Sequence, residues 1–241
     1  MKIGILGTGT ISSAVVHGLA GAGHQIVVSE RNADKARELD DLYSEVSVAP
    51  NQSVLDQSDV VFLGLMASVA EEILPSLTFR PEHRVVSLMA GMSPLQIATL
   101  VAPAAAEAVM IPFPGIAQGG SPVMLRGNQG LVEELFGQTN QIFVLNSDEE
   151  LDAYMCAQAV LSPAVRMVHD AAGWLGDRVK NPQQAEAFLR MLVGSSLSGS
   201  ETSALLKALD TPGGYNARLR EHMVSAGMTD DLTDGLNKLA Q

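Results

Sequence analysis

A single cysteine, Cys156, stands in 241 residues. That excludes an internal disulfide framework and fits a reducing compartment. Basic residues are scarce as well: 15 Lys and Arg face 27 Asp and Glu, a formal net charge of −12. No basic stripe is available to neutralise phosphates, so a nucleic-acid partner is not expected. Long hydrophobic runs are missing too. Ser, Gly, Pro or a charge interrupts each apolar stretch before the roughly 20 residues that span a bilayer. The opening MKIGILGTGT starts at once with strand and glycine turn, leaving no room for a leader; the expected location is cytoplasmic, with no membrane partner. None of the five histidines pairs with another His or Cys at metal-ligand spacing, so no metal site is expected. Neither a Gly-x-Ser-x-Gly elbow nor a P-loop occurs.

What is present is a globular composition with a change of character part-way along. Short β-rich runs at Lys2–Leu6, Gln25–Ser29, Val60–Leu63, Arg84–Leu88, Ala108–Ile111, Pro122–Leu125 and Ile142–Leu145 alternate with helical patterns such as Ile11–Gly21, Asp34–Leu42 and Pro94–Leu100. Several runs are continuously apolar, which suits strands covered by helices on both faces. After Asn146 only helical patterns remain. Ser147-Asp-Glu-Glu150 predicts a capping box, with Glu150 reaching back to the Ser147 amide. Asn181-Pro182 and Thr211-Pro212 each predict an N-cap followed by proline in the first turn. Met155–Leu175 is apolar on more than one face, which suits burial against another element or another subunit. The expected division is residues 1–147 and 148–241.

Gly7-Thr8-Gly9-Thr10-Ile11-Ser12 follows the first strand directly and opens a helix. Gly7 permits the tight turn, Gly9 lets backbone amides approach a pyrophosphate, and Ser12 stands where a third small residue lets helix and strand pack closely. The helix end then offers unpaired N–H groups and a favourable dipole. With a second strand ending at Glu30, this predicts a Rossmann-type doubly wound α/β sheet that binds NAD(P), followed by an all-helical C-terminal domain. Glu30 could accept from a ribose 2′-hydroxyl, as NAD(H) requires. Arg31, with Ser29 and Asn32, could instead engage the 2′-phosphate of NADP(H). Both stay open, with NADP(H) slightly preferred.

Four blocks resemble the pyrroline-5-carboxylate reductases. They are the opening turn with Gly7, Gly9, Ala14, Gly18 and Gly23 in register; Ser87-Leu-Met-Ala-Gly-Met-Ser93; Pro114-Gly-Ile-Ala-Gln-Gly-Gly-Ser-Pro-Val123; and Leu209-Asp-Thr-Pro-Gly-Gly214. The resemblance implies NAD(P)H-dependent reduction of a small cyclic imino acid to the amine, as in proline biosynthesis. It also implies a homodimer formed through the helical domain. In that reading Gly7, Gly9, Thr10 and Ile11 meet the pyrophosphate, Glu30 or Arg31 the adenosine ribose, and Met66, Ala90 and Gly91 the nicotinamide side. Thr211, Gly213, Gly214 and Tyr215 hold the substrate, and Asn216 stands near the imine. The Thr211 block is expected to start a helix whose first amides, uncovered by side chains, suit a carboxylate. Three departures alter the site: Met66-Ala67 replaces lysine-proline, Pro112-Phe113 replaces asparagine-threonine, and Asn216 replaces a threonine. Another small imine or carbonyl acid as substrate, or dinucleotide binding without turnover, are the alternatives these departures raise.

Overall fold

The continuous apolar runs become the interior strands of one eight-stranded sheet. The computed structural model describes residues 1–240 in two compact units, Met1–Leu151 and Asp152–Gln241. In chain order the first unit has β1 (Lys2–Leu6), α1 (Thr10–Leu19), β2 (Gln25–Ser29), α2 (Ala33–Leu42), β3 (Val46–Ala49), α3 (Asn51–Asp56), β4 (Val60–Leu63) and α4 (Ala67–Ile73). There follow β5 (Arg84–Ser87), α5 (Pro94–Val101), β6 (Ala105–Pro112), β7 (Pro122–Gly127), α6 (Gln129–Phe136) and β8 (Gln141–Val144). The sheet order is β3-β2-β1-β4-β5-β6-β7-β8. Neighbours pair in parallel from β3 through β6, and again between β7 and β8, but β6 and β7 are antiparallel.

Ile3, Ile5, Val28, Phe62, Val86 and Met110 are fully or almost fully buried between sheet and helices. Phe62 meets Phe136 of α6 edge-on, with ring centroids 6.2 Å apart, the arrangement that the ring quadrupoles favour. One strand was not legible: β3 is a four-residue edge strand with Val46 as its one buried residue, too short to show either a run or an alternation. β6 is longer than expected, running from Ala105 to Pro112.

The end of α3 shows how side chains finish an element. Arg80 donates to the carbonyls of Leu55, Asp56 and Ser58 at 3.2, 3.4 and 2.8 Å, a cation at a helix C-terminus. Buried His83 completes the cap: its Nδ1 accepts from the Arg80 amide and its Nε2–H donates to the Leu55 carbonyl, both at 3.0 Å. The bond from the Arg80 amide needs a neutral ring, because a protonated Nδ1 has no lone pair left to accept it. Burial, then the Arg80 charge, hold the His83 pKa below its ordinary value of 6.5. An unfolded chain takes up this proton as pH drops below about 6.5, while the folded one resists, so acid favours unfolding. His83→Asn should therefore lose stability at pH 7.5, yet decline less than the parent between pH 7.5 and 5.5 in urea unfolding. Parallel declines would show that His83 does not set the acid limit.

The second unit contains α7 (Asp148–Ala157, crossing the division), α8 (Leu161–Gly176), α9 (Pro182–Gly199), α10 (Thr202–Ala208), α11 (Tyr215–Ser225) and α12 (Met228–Leu239). Among the described residues no strand follows Val144. Asn181 caps α9 as expected, accepting from the Gln184 amide at 3.1 Å. At α7 the box is shifted by one residue. Ser147 Oγ accepts the Glu150 amide at 3.1 Å, but the Glu150 carboxylate takes the amide of Asn146 at 2.6 Å, not that of Ser147. α8 and α9 pack along each other. Yet Ala172, Ala185 and Ala217 are the buried hydrophobic residues of this unit, while Trp174, Phe188, Met191 and Leu219 are more than half exposed.

Candidate active site

The glycine turn is built from three elements of the first unit. Gly7 takes φ +94°, and a Cβ there would run into the Gly64 carbonyl as well as lie 2.9 Å from Leu65 Cδ2; only glycine satisfies both conditions. Its amide donates to the buried Ser29 Oγ at 2.7 Å. Gly7 is thus a turn former, and its N–H is already bonded within the protein. Thr8 Oγ1 donates to the Asn32 carbonyl at 3.4 Å, and Asn32 Oδ1 caps α2 by accepting the Lys35 amide at 3.4 Å. These bonds tie the turn to the β2–α2 connection.

Gly9 is the N-cap of α1, with no side-chain cap. The helical ladder begins with the Ser13 amide on the Gly9 carbonyl at 2.9 Å, so the amides before Ser13 stay outside it. A Cβ on Gly9 would meet nothing within 4 Å. Within the same turn Ser13 Oγ is buried with no hydrogen-bond partner. Open space over Gly9, free helix-end amides and an orphaned hydroxyl fit a dinucleotide pyrophosphate.

Gly64 is a further site residue that the sequence motifs do not single out. Ser12 occupies the third-glycine place, and Gly64 lies directly opposite, where a Cβ would collide with Ser12 Oγ and lie 3.1 Å from its Cβ. The volume removed at Gly64 accommodates the volume added at Ser12. The signal was present as a glycine immediately after the apolar β4 run, facing a serine where the motif has glycine. Ser29, considered above for a 2′-phosphate, is buried and its Oγ holds the turn, while Asn32 Oδ1 caps α2. Glu30 and Arg31 are both exposed at the end of β2. Met66, the N-cap of α4, is 73% exposed, and Ala90 and Gly91 are exposed beyond β5.

In the second unit the Thr211 block differs from expectation. Thr211 does not cap a helix and Pro212 does not begin one. Asp210–Gly214 is instead a turn closed by the Gly214 amide on the Thr211 carbonyl at 2.9 Å, with Gly213 at φ +73°. Proline then glycine at the two central positions is the type II signature, and this turn geometry outcompetes helix initiation at Pro212. α11 starts at Tyr215 with Gly214 as an N-cap lacking any side-chain bond, and its ladder begins at the Arg218 amide on Gly214. The amides of Tyr215, Asn216 and Ala217 therefore form the bare end. Tyr215 is 92% exposed, and Asn216 is exposed beside it. Arg220 of α11 pairs with Asp210 and reaches the Leu206 carbonyl, pinning α10 to the turn.

Residues 2–91 match the model of a family described as coenzyme F420-dependent NADP oxidoreductase. A pyrroline-5-carboxylate reductase from Corynebacterium melassecola is 32% identical over 99 residues, covering 38% of this chain and 37% of that protein. The match thus spans little more than a third of that curated relative. Among solved structures, a pyrroline-5-carboxylate reductase from Streptococcus pyogenes aligns with a TM-score of 0.83 at 23% identity, over 100% of this chain and 96% of that one. A reductive aminase from Aspergillus terreus, in complex with NADPH and ethyl levulinate, aligns with a TM-score of 0.62 at 18% identity, over 99% and 90%. The likeness carried by the four sequence blocks thus extends to the architecture, and from end to end this chain has the pyrroline-5-carboxylate reductase fold.

Proposed function

We propose that this chain is an NAD(P)H-dependent reductase of a small cyclic imino acid, resembling the reduction of 1-pyrroline-5-carboxylate to proline. One observation carries the reading: α1 after Gly9 and α11 after Gly214 present bare helix ends with no acidic residue in the first turn, unlike α12 after Gly227, whose first turn holds Asp230 and Asp231. The first suits a pyrophosphate, and the second a small carboxylate. The amides at Thr10 and Ile11 receive the pyrophosphate, and Ala90 and Gly91 leave the backbone bare on the nicotinamide side. The reduced nicotinamide, when bound, supplies the hydride. Gly213 and Gly214 keep the α11 amides accessible to the carboxylate, Thr211 shapes the turn, and Tyr215 flanks it. The Asn216 carboxamide, a donor and an acceptor, orients the imine nitrogen. This reaction asks little of side chains beyond orientation and one proton, because an iminium is already electrophilic.

NADP(H) is the proposed cofactor. With Ser29 buried under the turn, Arg31 and the N–H groups of the exposed Asn32 carboxamide are left for the 2′-phosphate, and a guanidinium matches a phosphate with paired donors. The purified protein should oxidise NADPH with pyrroline-5-carboxylate, and Arg31→Ala should raise the NADPH KM about tenfold while sparing NADH. A preference for NADH in the parent would give the ribose to Glu30. Dinucleotide binding without turnover of any imino or keto acid would make the protein a non-catalytic binder.

A second copy of the chain is the proposed partner. A unit that buries three alanines and leaves Trp174, Phe188 and Met191 largely exposed has no core adequate to its size. Between α8 and α12 runs a cavity of about 710 Å³ lined by Val160, Met167, Leu232, Leu236 and Leu239. Sedimentation equilibrium should return twice the chain mass or a multiple of that. A monomer at micromolar concentration would count against a dimer through the helical unit.

A further inference from the structure

Where β1, β4, β5 and β6 end, the first unit presents side chains that are almost wholly hydrocarbon, and that bears on what is reduced. β1, β4, β5 and β6 are adjacent and parallel, with Leu6 opposite Leu63, Leu63 opposite Ser87 and Ser87 opposite Val109. The segments leaving these strands therefore emerge on one edge of the sheet, where ligands of open α/β sheets bind. They are Gly7–Gly9, Gly64–Met66, Leu88–Ser93 and Phe113. None contains Asp, Glu, Lys, Arg, His or Tyr. Of their hydroxyls, Thr8 is bonded to the Asn32 carbonyl and Ser93 belongs to a capping box with Gln96. Met66 is 73% exposed and Leu95, just inside α5, is 77% exposed; Phe113 is half-buried. This edge offers no cation to a second anionic group and no acid to the imine. It offers a pliable apolar wall, since a methionine thioether adapts to varied shapes.

From this we infer that the substrate carries a hydrocarbon substituent that lies against Met66 and Phe113, so that the imine is more hydrophobic than pyrroline-5-carboxylate. The inference rests on the reductase reading and narrows its substrate class. A buried methylene gains roughly fourfold in binding, so three of them give a ceiling of about 60-fold if all are covered.

The test uses the full-length protein with NADPH and compares kcat/KM for 2-methyl-1-pyrroline, 2-butyl-1-pyrroline and 1-pyrroline-5-carboxylate. The two alkyl imines share a ring and electronics and differ by three methylenes. The expected result is at least a tenfold advantage of butyl over methyl. Met66→Lys, at an exposed position, should cut the butyl-to-methyl ratio several-fold, a ratio in which any change in NADPH binding cancels. Equal efficiencies for butyl and methyl, with pyrroline-5-carboxylate turned over, would overturn the inference and leave the reductase reading in place. An unchanged butyl advantage in Met66→Lys would remove Met66 from the wall and overturn the assignment as stated. Absence of turnover on all three imines, with NADPH bound, would overturn both the inference and the reading beneath it.

Discussion

Replacing Gly9 by alanine is expected to cost only a few degrees of melting temperature but most of the dinucleotide affinity, whereas replacing Gly7 costs both. A Cβ on Gly9 meets no protein atom within 4 Å, so the folded state suffers only the poorer capping of alanine. That is about 1 kcal/mol, or roughly 2–4 °C for a chain of this size. The same Cβ points into the space that the pyrophosphate needs. A loss on the order of 100-fold in NADPH affinity, about 2.7 kcal/mol, is expected by fluorescence titration. Alanine at Gly7 must hold φ +94° against a backbone carbonyl. Strain of about 1–3 kcal/mol for the dihedral, added to about 1–3 kcal/mol for the overlap, should lower the melting temperature by roughly 4–24 °C. A Gly9→Ala protein that binds NADPH as tightly as the parent would move the pyrophosphate away from α1.

The second large effect is a rescue. Gly64→Ala alone drives a Cβ into Ser12 Oγ and should cost about 1–3 kcal/mol by overpacking. In a Ser12→Gly background the nearest remaining obstacle is the Gly7 carbonyl at 3.2 Å, so the same substitution should cost at least about 1 kcal/mol less. The four proteins of this cycle, compared by urea unfolding, measure the coupling. Additive energies would mean that the two positions do not exchange volume.

How much of this was readable beforehand depended on whether the physics was local. The parallel strands declared themselves because Ile3–Leu6 and Val60–Leu63 carry no polar side chain, and burial on both faces leaves no alternation. Asn181-Pro182 was legible because a cap and its proline are neighbours in sequence. Thr211-Pro212 has the same local form and a different outcome. Gly213 and Gly214 follow it, and a Pro-Gly pair closes a type II turn before the chain enters α11. Ser29 and the Ser12–Gly64 exchange could not be read from either segment alone, since each depends on two strands being adjacent. The apolar edge of the sheet was visible only as two departures from a motif, at Met66 and Phe113. Their common property emerged when the parallel register placed the ends of β4 and β6 at one edge.

The bond from the Gly7 amide to Ser29 Oγ sets a rule for cofactor engineering. A segment exchanged at the end of β2 to alter the choice between the two dinucleotides would naturally begin at Ser29. That residue fastens the glycine turn, so exchanging it is expected to weaken binding of either dinucleotide and disguise any change in preference. The portable segment of this protein starts one residue later, at Glu30. A designer who keeps Ser29 fixed can rewrite Glu30 and Arg31 as a specificity dial that is mechanically separate from the hinge beneath it.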